Sequence, residues 1–379
     1  MSSPAPSLVL LTLDYPPSLG GIQTLTTEIY SRLADLARVV IAPSAGAPAA
    51  PPSGLNVLRS RHPSGQGLRT AVYLRDAARL ARPHLGPRVL LHCNHLFAAY
   101  AARWLRRRAG VRYLVWVHGE ELTKHRYPAL ARHSLRAAAG ILVNSEFTAD
   151  RVRTLLEGRT PPIHKIPLGA DARFLQTPLP APDASARLPR ILSLARLSRR
   201  DRYKGLDVAL HAMVLLRSRG LSFEFHIAGD GDDRPYLEAL AGELGIRDLV
   251  TFLGPVPPER LVAVYDACDL FLLCSREQPG PRGLGFEGFG IVLLEAAARG
   301  KAAVAGRSGG IPDAVVDGGS GILVDPASPA AVADGLQRLL TDSGLRHRLG
   351  AAGRARVEAT YNWDQAAAAV RRIHQELLA

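Results

Sequence analysis

With 379 residues the chain is too long for one typical core and calls for two domains. Hydrophobic residues at 47% and charged ones at 21% exclude a disordered or fibrous protein, and no apolar run reaches the ~18 residues that span a bilayer. A formal net charge of +13 raises nucleic acid and anionic lipid as partners, but nearly all of it is arginine, a bias that genome composition produces as readily as function. Cys93, Cys268 and Cys274 are odd in number and lack metal-ligand spacing, which fits free thiols in a reducing cytoplasm. The start, MSSPAPSLVLLTLDYPP, has neither the basic opening nor the cleavage region of a signal peptide.

Taken in order, residues 7–13 read as a buried strand that ends at Asp14 and the Pro16-Pro17 pair. Gly20-Gly21 then allow a tight turn before a helix over 22–36, an anion-binding loop of the strand-to-helix kind that lacks the dinucleotide fingerprint. Strands follow near 39–42 and 57, a helix over 68–81, and strands at RVLLHC and RYLVWVH with a helix over 96–108 between them. A helix over 127–139, the strand ILVNS, a helix over 146–156 and a strand near 164–167 complete the half. Such alternation predicts a parallel sheet covered by helices on both faces. His118 stands where YLVWVH ends, on the side of the sheet where ligands collect; Glu120 and Glu121 after it read as the start of a solvated helix in preference to acceptor contacts. Arg69, Arg75, Arg79 and Arg82 on one helix, and the arginines around Trp104 on another, leave two readings: a solvated basic face or a face for anionic lipid.

Residues 176–189 are proline-rich and aperiodic, a linker. A second α/β alternation begins at RILSLARL, where Arg196 and Lys204 flank a loop placed as a diphosphate clamp would be. Asp232-Asp233 follow a turn and read as a helix start. Further on lies SREQPGPRGLGFEGFGIVLLEAAARG, residues 275–300: a strand end, a glycine-rich loop, and a helix opening at Gly290. A helix N-terminus offers unpaired N–H groups and a positive dipole end to an anion, and carboxylates such as Glu287 and Glu295 suit sugar hydroxyls.

Together these motifs resemble the family 4 retaining glycosyltransferases of the GT-B fold. They are Gly20-Gly21, HGEEL, VNSEFTADRV, IPLGAD, ARL…YKG, IAGDG and EGFGIVLLE with its E-x7-E pair, in the family's order along essentially the whole chain. The loop SREQPGPRGLGFEGFG is similar to that of bacterial phosphatidylinositol mannosyltransferase-like enzymes. The resemblance implies two Rossmann-like parallel-sheet α/β domains facing across a cleft, 1–182 for the acceptor and 183–360 for a nucleotide sugar, with a C-terminal helix, 361–379, crossing back to the first domain. It implies that Arg196 and Lys204 hold the donor diphosphate with backbone N–H groups of Gly20, Gly21, Gly290 and Ile291, in the turn that also contains Gly288 and Phe289. Glu295 would bind ribose, Glu287 the transferred sugar, and His118 would face that sugar. Val256 and Arg276 would border the base.

The implied reaction moves a hexose, with mannose from GDP-mannose favoured over a UDP-sugar, to a lipid or glycan acceptor with retention. Neither a metal nor a cofactor is expected beyond the donor itself. The expected setting is cytoplasmic, with peripheral contact to the inner face of an anionic membrane, and no nucleic acid. Two other readings are a GT-B epimerase or phosphorylase, and a basic, non-catalytic nucleic-acid or membrane binding protein. The first wants an acid set or a cofactor lysine; the second leaves the E-x7-E pair, His118 and Lys204 without a purpose. The base, the sugar, the acceptor and the oligomeric state are not fixed by the sequence.

Overall fold

A computed structural model describes residues 6–17, 20–44, 54–62, 68–123, 128–180, 187–280 and 283–379. Parts of four expected features lie outside them: 18–19 of the double-glycine loop, 127 at a helix start, 181–186 of the linker, and 281–282 of the glycine-rich loop. The chain forms two compact units, 1–168 joined by 363–379, and 169–362.

The first unit runs β1 (Ser7–Leu11), α1 (Gly21–Ser31), β2 (Ala37–Ala42), β3 (Val57–Arg59), α2 (Leu68–Ala81), β4 (Val89–Cys93), α3 (Ala98–Ala109), β5 (Arg112–Val117), α4 (Pro128–Arg136), β6 (Gly140–Val143), α5 (Glu146–Leu156) and β7 (Ile163–Lys165). Its described strands form one seven-stranded sheet in the order β3-β2-β1-β4-β5-β6-β7, every pairing parallel. Parallel strands are buried on both faces, which is why β1 and β4 are apolar almost throughout rather than alternating. Val9, Leu11, Leu91 and Cys93 enter a core shared with α2 and α3. The residues between them point the other way.

The second unit continues with α6 (Ala172–Gln176), β8 (Arg190–Leu194), α7 (Leu206–Ser218), β9 (Glu224–Ala228), α8 (Arg234–Glu243), β10 (Val250–Gly254), α9 (Leu261–Asp266), β11 (Leu270–Leu273), β12 (Gln278–Gly280), β13 (Gly283–Gly285), α10 (Ile291–Ala298), β14 (Ala302–Gly306), α11 (Ile311–Ala314), β15 (Gly321–Val324), α12 (Pro329–Thr341) and α13 (Ser343–Thr360). Six strands pair in parallel in the order β10-β9-β8-β11-β14-β15, and β12-β13 form a small antiparallel hairpin. Local signals set helix starts: Ser328 caps Ala331 N–H at 3.2 Å with Pro329 at the first helical position, and Asp342 caps Leu345 N–H at 2.8 Å.

The first crossing between the units comes at 168/169, before the proline-rich stretch expected to separate them at 182/183. The reason is α6, a short helix the sequence pattern did not announce. Phe174 on it is fully buried against the Tyr265 ring, and the carbonyls of Phe174, Thr177 and Pro178 accept from the buried guanidinium of Arg299 at 2.9, 2.6 and 2.8 Å. The return crossing comes at 362/363, and within the second unit the two crossing segments meet, with Ala170 N–H donating to Tyr361 O at 3.1 Å. The terminal helix α14 (Trp363–Leu378) then packs on α1 and β4 of the first unit, with His92 of β4 bonded to Tyr30 of α1 and His374 of α14, each at 3.1 Å.

Candidate functional site

In an open parallel sheet, loops leaving the strand ends diverge where the strand order reverses, and a crevice opens there. In the second unit the reversal falls between β8 and β11, because β9 and β10 lie beyond β8 and β14 and β15 beyond β11. The loop after β8 carries Arg196 and Lys204; the loop after β11 carries Arg276 and leads to Glu287 and Gly290.

These two loops are laced together. Arg276 N–H donates to Tyr203 O at 2.8 Å, and its guanidinium forks onto the Asp207 carboxylate at 3.0 and 2.9 Å. Gly205, in left-handed backbone at φ 72°, lies so close to the Cys274 carbonyl that any side chain would overlap it. Lys204 and Glu287 meet in an ion pair that is largely shielded from solvent. The expected phosphate cation and the expected acceptor of sugar hydroxyls are therefore partners of each other.

The loop after β8 is tied on its other side to the loop after β9. Leu197 N–H donates to Asp230 O at 3.0 Å, and Asp233 N–H to Leu197 O at 2.8 Å. Arg202 grips the buried Asp233 carboxylate through two bonds of 2.8 and 2.6 Å. Asp233 does precede α8, yet its side chain makes no cap bond; it serves as the anchor of Arg202. Arg196 pairs through Nε with Asp201, which is almost wholly buried.

At the far side of the crevice Gly290 (φ 91°) caps α10. Glu287 O, at the head of that turn, accepts from Gly310 N–H at 2.8 Å, which fixes the turn to the segment after β14. The Phe289 side chain is buried against the Tyr361 ring, so within Gly288–Ile291 it is the backbone rather than Phe289 that can address an anion. One turn on, Glu295 accepts from the Tyr265 hydroxyl at 2.7 Å; burial raises its pKa, with that bond and Arg173 acting against the rise. Val256 is half-buried just past β10, at the same end of the sheet.

The first unit has its own reversal, between β1 and β4. Gly20 caps α1 there, its carbonyl accepting from Thr24 N–H at 3.0 Å. His118 follows β5, and its Nε2 lies 2.9 Å from Asn94 O. A carbonyl can only accept, so Nε2 carries the proton and Nδ1 is the acceptor face of the neutral ring. Burial lowers the His118 pKa, opposed by Glu121, so the ring is neutral near pH 7. Glu121 does not begin a solvated helix as expected: it is buried and accepts from His118 N–H at 2.8 Å. The local cause is a short 3-10 turn, Glu120–Leu122, that folds the carboxylate back onto the strand end.

Arg196, Lys204, Arg276, Glu287, Gly288, Phe289, Gly290, Ile291 and Glu295 thus lie on the loops that leave β8 and β11 and on α10, at the strand-order reversal of the second unit. Gly20, Gly21 and His118 belong to that of the first. Asp201, Asp207 and Tyr265, which hold Arg196, Arg276 and Glu295 in place, carried no local sequence signal, and Asp233 read only as a helix start.

Two family descriptions match the chain: "Glycosyltransferase Family 4" over residues 19–174 and "Glycosyl transferases group 1" over 184–356. The GDP-mannose-dependent alpha-(1-6)-phosphatidylinositol monomannoside mannosyltransferase of Mycobacterium tuberculosis is 33% identical, over 95% of this chain and 96% of its own. The alpha-D-kanosaminyltransferase of Streptomyces kanamyceticus is 30% identical over 73% of each. Among solved structures, sucrose-phosphate synthase from Thermosynechococcus elongatus superposes with a TM-score of 0.81 at 21% identity, covering 98% of this chain and 99% of that one. On these matches and this architecture, the chain is a glycosyltransferase of the GT-B fold and belongs to glycosyltransferase family 4.

Proposed function

We propose that the protein transfers mannose from GDP-mannose to a hydroxyl of a lipid-linked or surface-polysaccharide acceptor, with retention and without a metal or other cofactor. The observation that carries this reading is the crevice at the β8/β11 reversal, where Lys204, Arg196, Glu287 and the α10 N-terminus converge on one strand-end face. Cations and a helix N-terminus neutralise the charge that develops on a departing diphosphate, which is the largest demand of the reaction. Lys204 exchanges its bond to Glu287 for the phosphates, which frees the Glu287 carboxylate to accept from sugar hydroxyls. Glu295, held by Tyr265, takes the ribose. Mannose and the lipid-linked acceptor are favoured because the Mycobacterium tuberculosis relative is named for both and matches nearly end to end.

In this reading the leaving phosphate oxygen takes the acceptor proton on the face that the diphosphate leaves, so no side chain is needed as a base. GDP-mannose, UDP-glucose and ADP-glucose, compared by thermal shift and by release of the nucleoside diphosphate, test the donor. Anomeric NMR of the product tests retention, and undiminished turnover in EDTA tests metal independence. Stabilisation by none of the three donors contradicts the proposal.

The acceptor side of the proposal includes contact with an anionic membrane from the cytoplasmic side. Its support is α3, which exposes Trp104 at 48% one turn before exposed Arg107 and Arg108, with the guanidinium of Arg108 5.7 Å from the Trp104 ring centre. Sedimentation with phosphatidylglycerol and with phosphatidylcholine vesicles checks it. Binding indifferent to lipid charge refutes it.

A further inference from the structure

We infer that Asp201 is a positioning residue for the donor diphosphate: its buried carboxylate, bonded to Nε of Arg196, sets the guanidinium that receives the phosphates. The inference rests on the role given to Arg196 above and adds a residue that neither motif nor spacing marks.

The two partners are unequal in exposure. The Asp201 side chain is 6% exposed, whereas that of Arg196 is 73% exposed. A buried carboxylate requires a cation, and that of Asp201 has one at Nε of Arg196. Of the two, Asp201 is the fixed member. Its N–H donates to Ser198 O at 2.7 Å, and its backbone (φ −109°, ψ 20°) breaks the 3-10 segment Arg199–Lys204 in the middle. The next residue, Arg202, is clamped by both oxygens of Asp233. Arg196 therefore follows Asp201 rather than the reverse. Because a guanidinium is planar, a bond at Nε fixes the direction of its terminal nitrogens.

Between Arg196 and Lys204 the chain also carries Arg199, Arg200 and Arg202. Arg202 is committed to Asp233, and Arg199 offers its backbone to Asp232 at 3.0 Å. What the segment contributes is an acid, placed behind the first cation.

A carboxylate near a diphosphate also repels it, so the sign of the effect of Asp201→Asn decides between positioning and charge. The experiment titrates the full chain with GDP and with guanosine, or with UDP and uridine where GDP does not bind. It compares wild type with Asp201→Asn, Asp201→Glu, Arg196→Ala and the Asp201→Asn/Arg196→Ala double variant, each checked by its melting temperature. Positioning predicts about tenfold weaker diphosphate binding in Asp201→Asn, nucleoside binding within twofold of wild type, partial recovery in Asp201→Glu, and no added loss in the double variant. Arg196→Lys, which keeps the charge without Nε, gives the same signature and stands in if Asp201→Asn unfolds. Unchanged or tighter diphosphate binding in Asp201→Asn overturns the inference, as does an additive double variant. Full diphosphate affinity in Arg196→Ala instead removes the role of Arg196 itself. A wild type that binds neither diphosphate removes both.

Discussion

At the scale of single residues, the site is made of charges that occupy one another. Lys204 holds Glu287, Arg196 holds Asp201, Arg276 holds Asp207 and Arg202 holds Asp233. Two of these pairs, Arg276–Asp207 and Arg202–Asp233, are bidentate, and charge-assisted forks fix geometry better than exposed single contacts. Substituting Glu287 by Gln removes the partner of Lys204 while keeping an acceptor for hydroxyls. The expected result is a donor KM within about threefold of wild type and a kcat lower by about tenfold or more, because the carboxylate contact strengthens as charge develops. Steady-state kinetics with saturating acceptor separates the two; a change confined to KM would assign Glu287 to ground-state binding alone. Glu121 makes a comparable case in the first unit. Its replacement by Ala leaves His118 N–H buried without a partner and costs about 1–3 kcal/mol by denaturant titration.

At the scale of elements, strands and helices were legible because burial on both faces of a parallel sheet writes itself into short apolar runs. The expected helices over 68–81 and 146–156 are α2 and α5 residue for residue. What stayed hidden was whatever depends on residues far apart in the chain. α6 is five residues long, too short for a helical period, and it exists because Arg299 reaches back across more than a hundred residues to its carbonyls. Arg299 also forks onto Asp266 at 2.8 and 3.0 Å, and its side chain is fully buried. Arg299→Ala therefore strands one carboxylate and three carbonyls, and the expected loss is about 3–5 kcal/mol, read as a fall in melting temperature. Arg299→Lys recovers little of it, since a point charge cannot make a fork and three carbonyl bonds together. A melting temperature unchanged in Arg299→Ala would mean that α6 docks without it.

At the scale of the whole molecule, five histidines among the described residues have their pKa values lowered by burial: His92, His118, His164, His226 and His374, the last to about 4. A histidine depressed in the folded state binds its proton more readily when unfolded. Its contribution is whole above the unfolded value near 6.5 and is lost as pH falls toward the folded value. Glu295, raised by burial, works the other way, but it is one group against five. The melting temperature is accordingly expected to drop between pH 7 and pH 5, before the carboxylates lowered by their ion pairs begin to titrate. His374→Gln, which removes one titrating ring from the α14 contact with His92, is expected to flatten that slope. A melting temperature constant from pH 7 to pH 5 would show that these rings do not stay neutral.

In the proposed reaction the diphosphate departs against Lys204. The most direct check is the initial rate of GDP release from GDP-mannose by the full chain and by Lys204→Ala, at matched melting temperature. The prediction is measurable release by the wild type and a loss of at least about a hundredfold in the variant, in line with removal of one preorganised charge contact. Equal rates in the two proteins would contradict it.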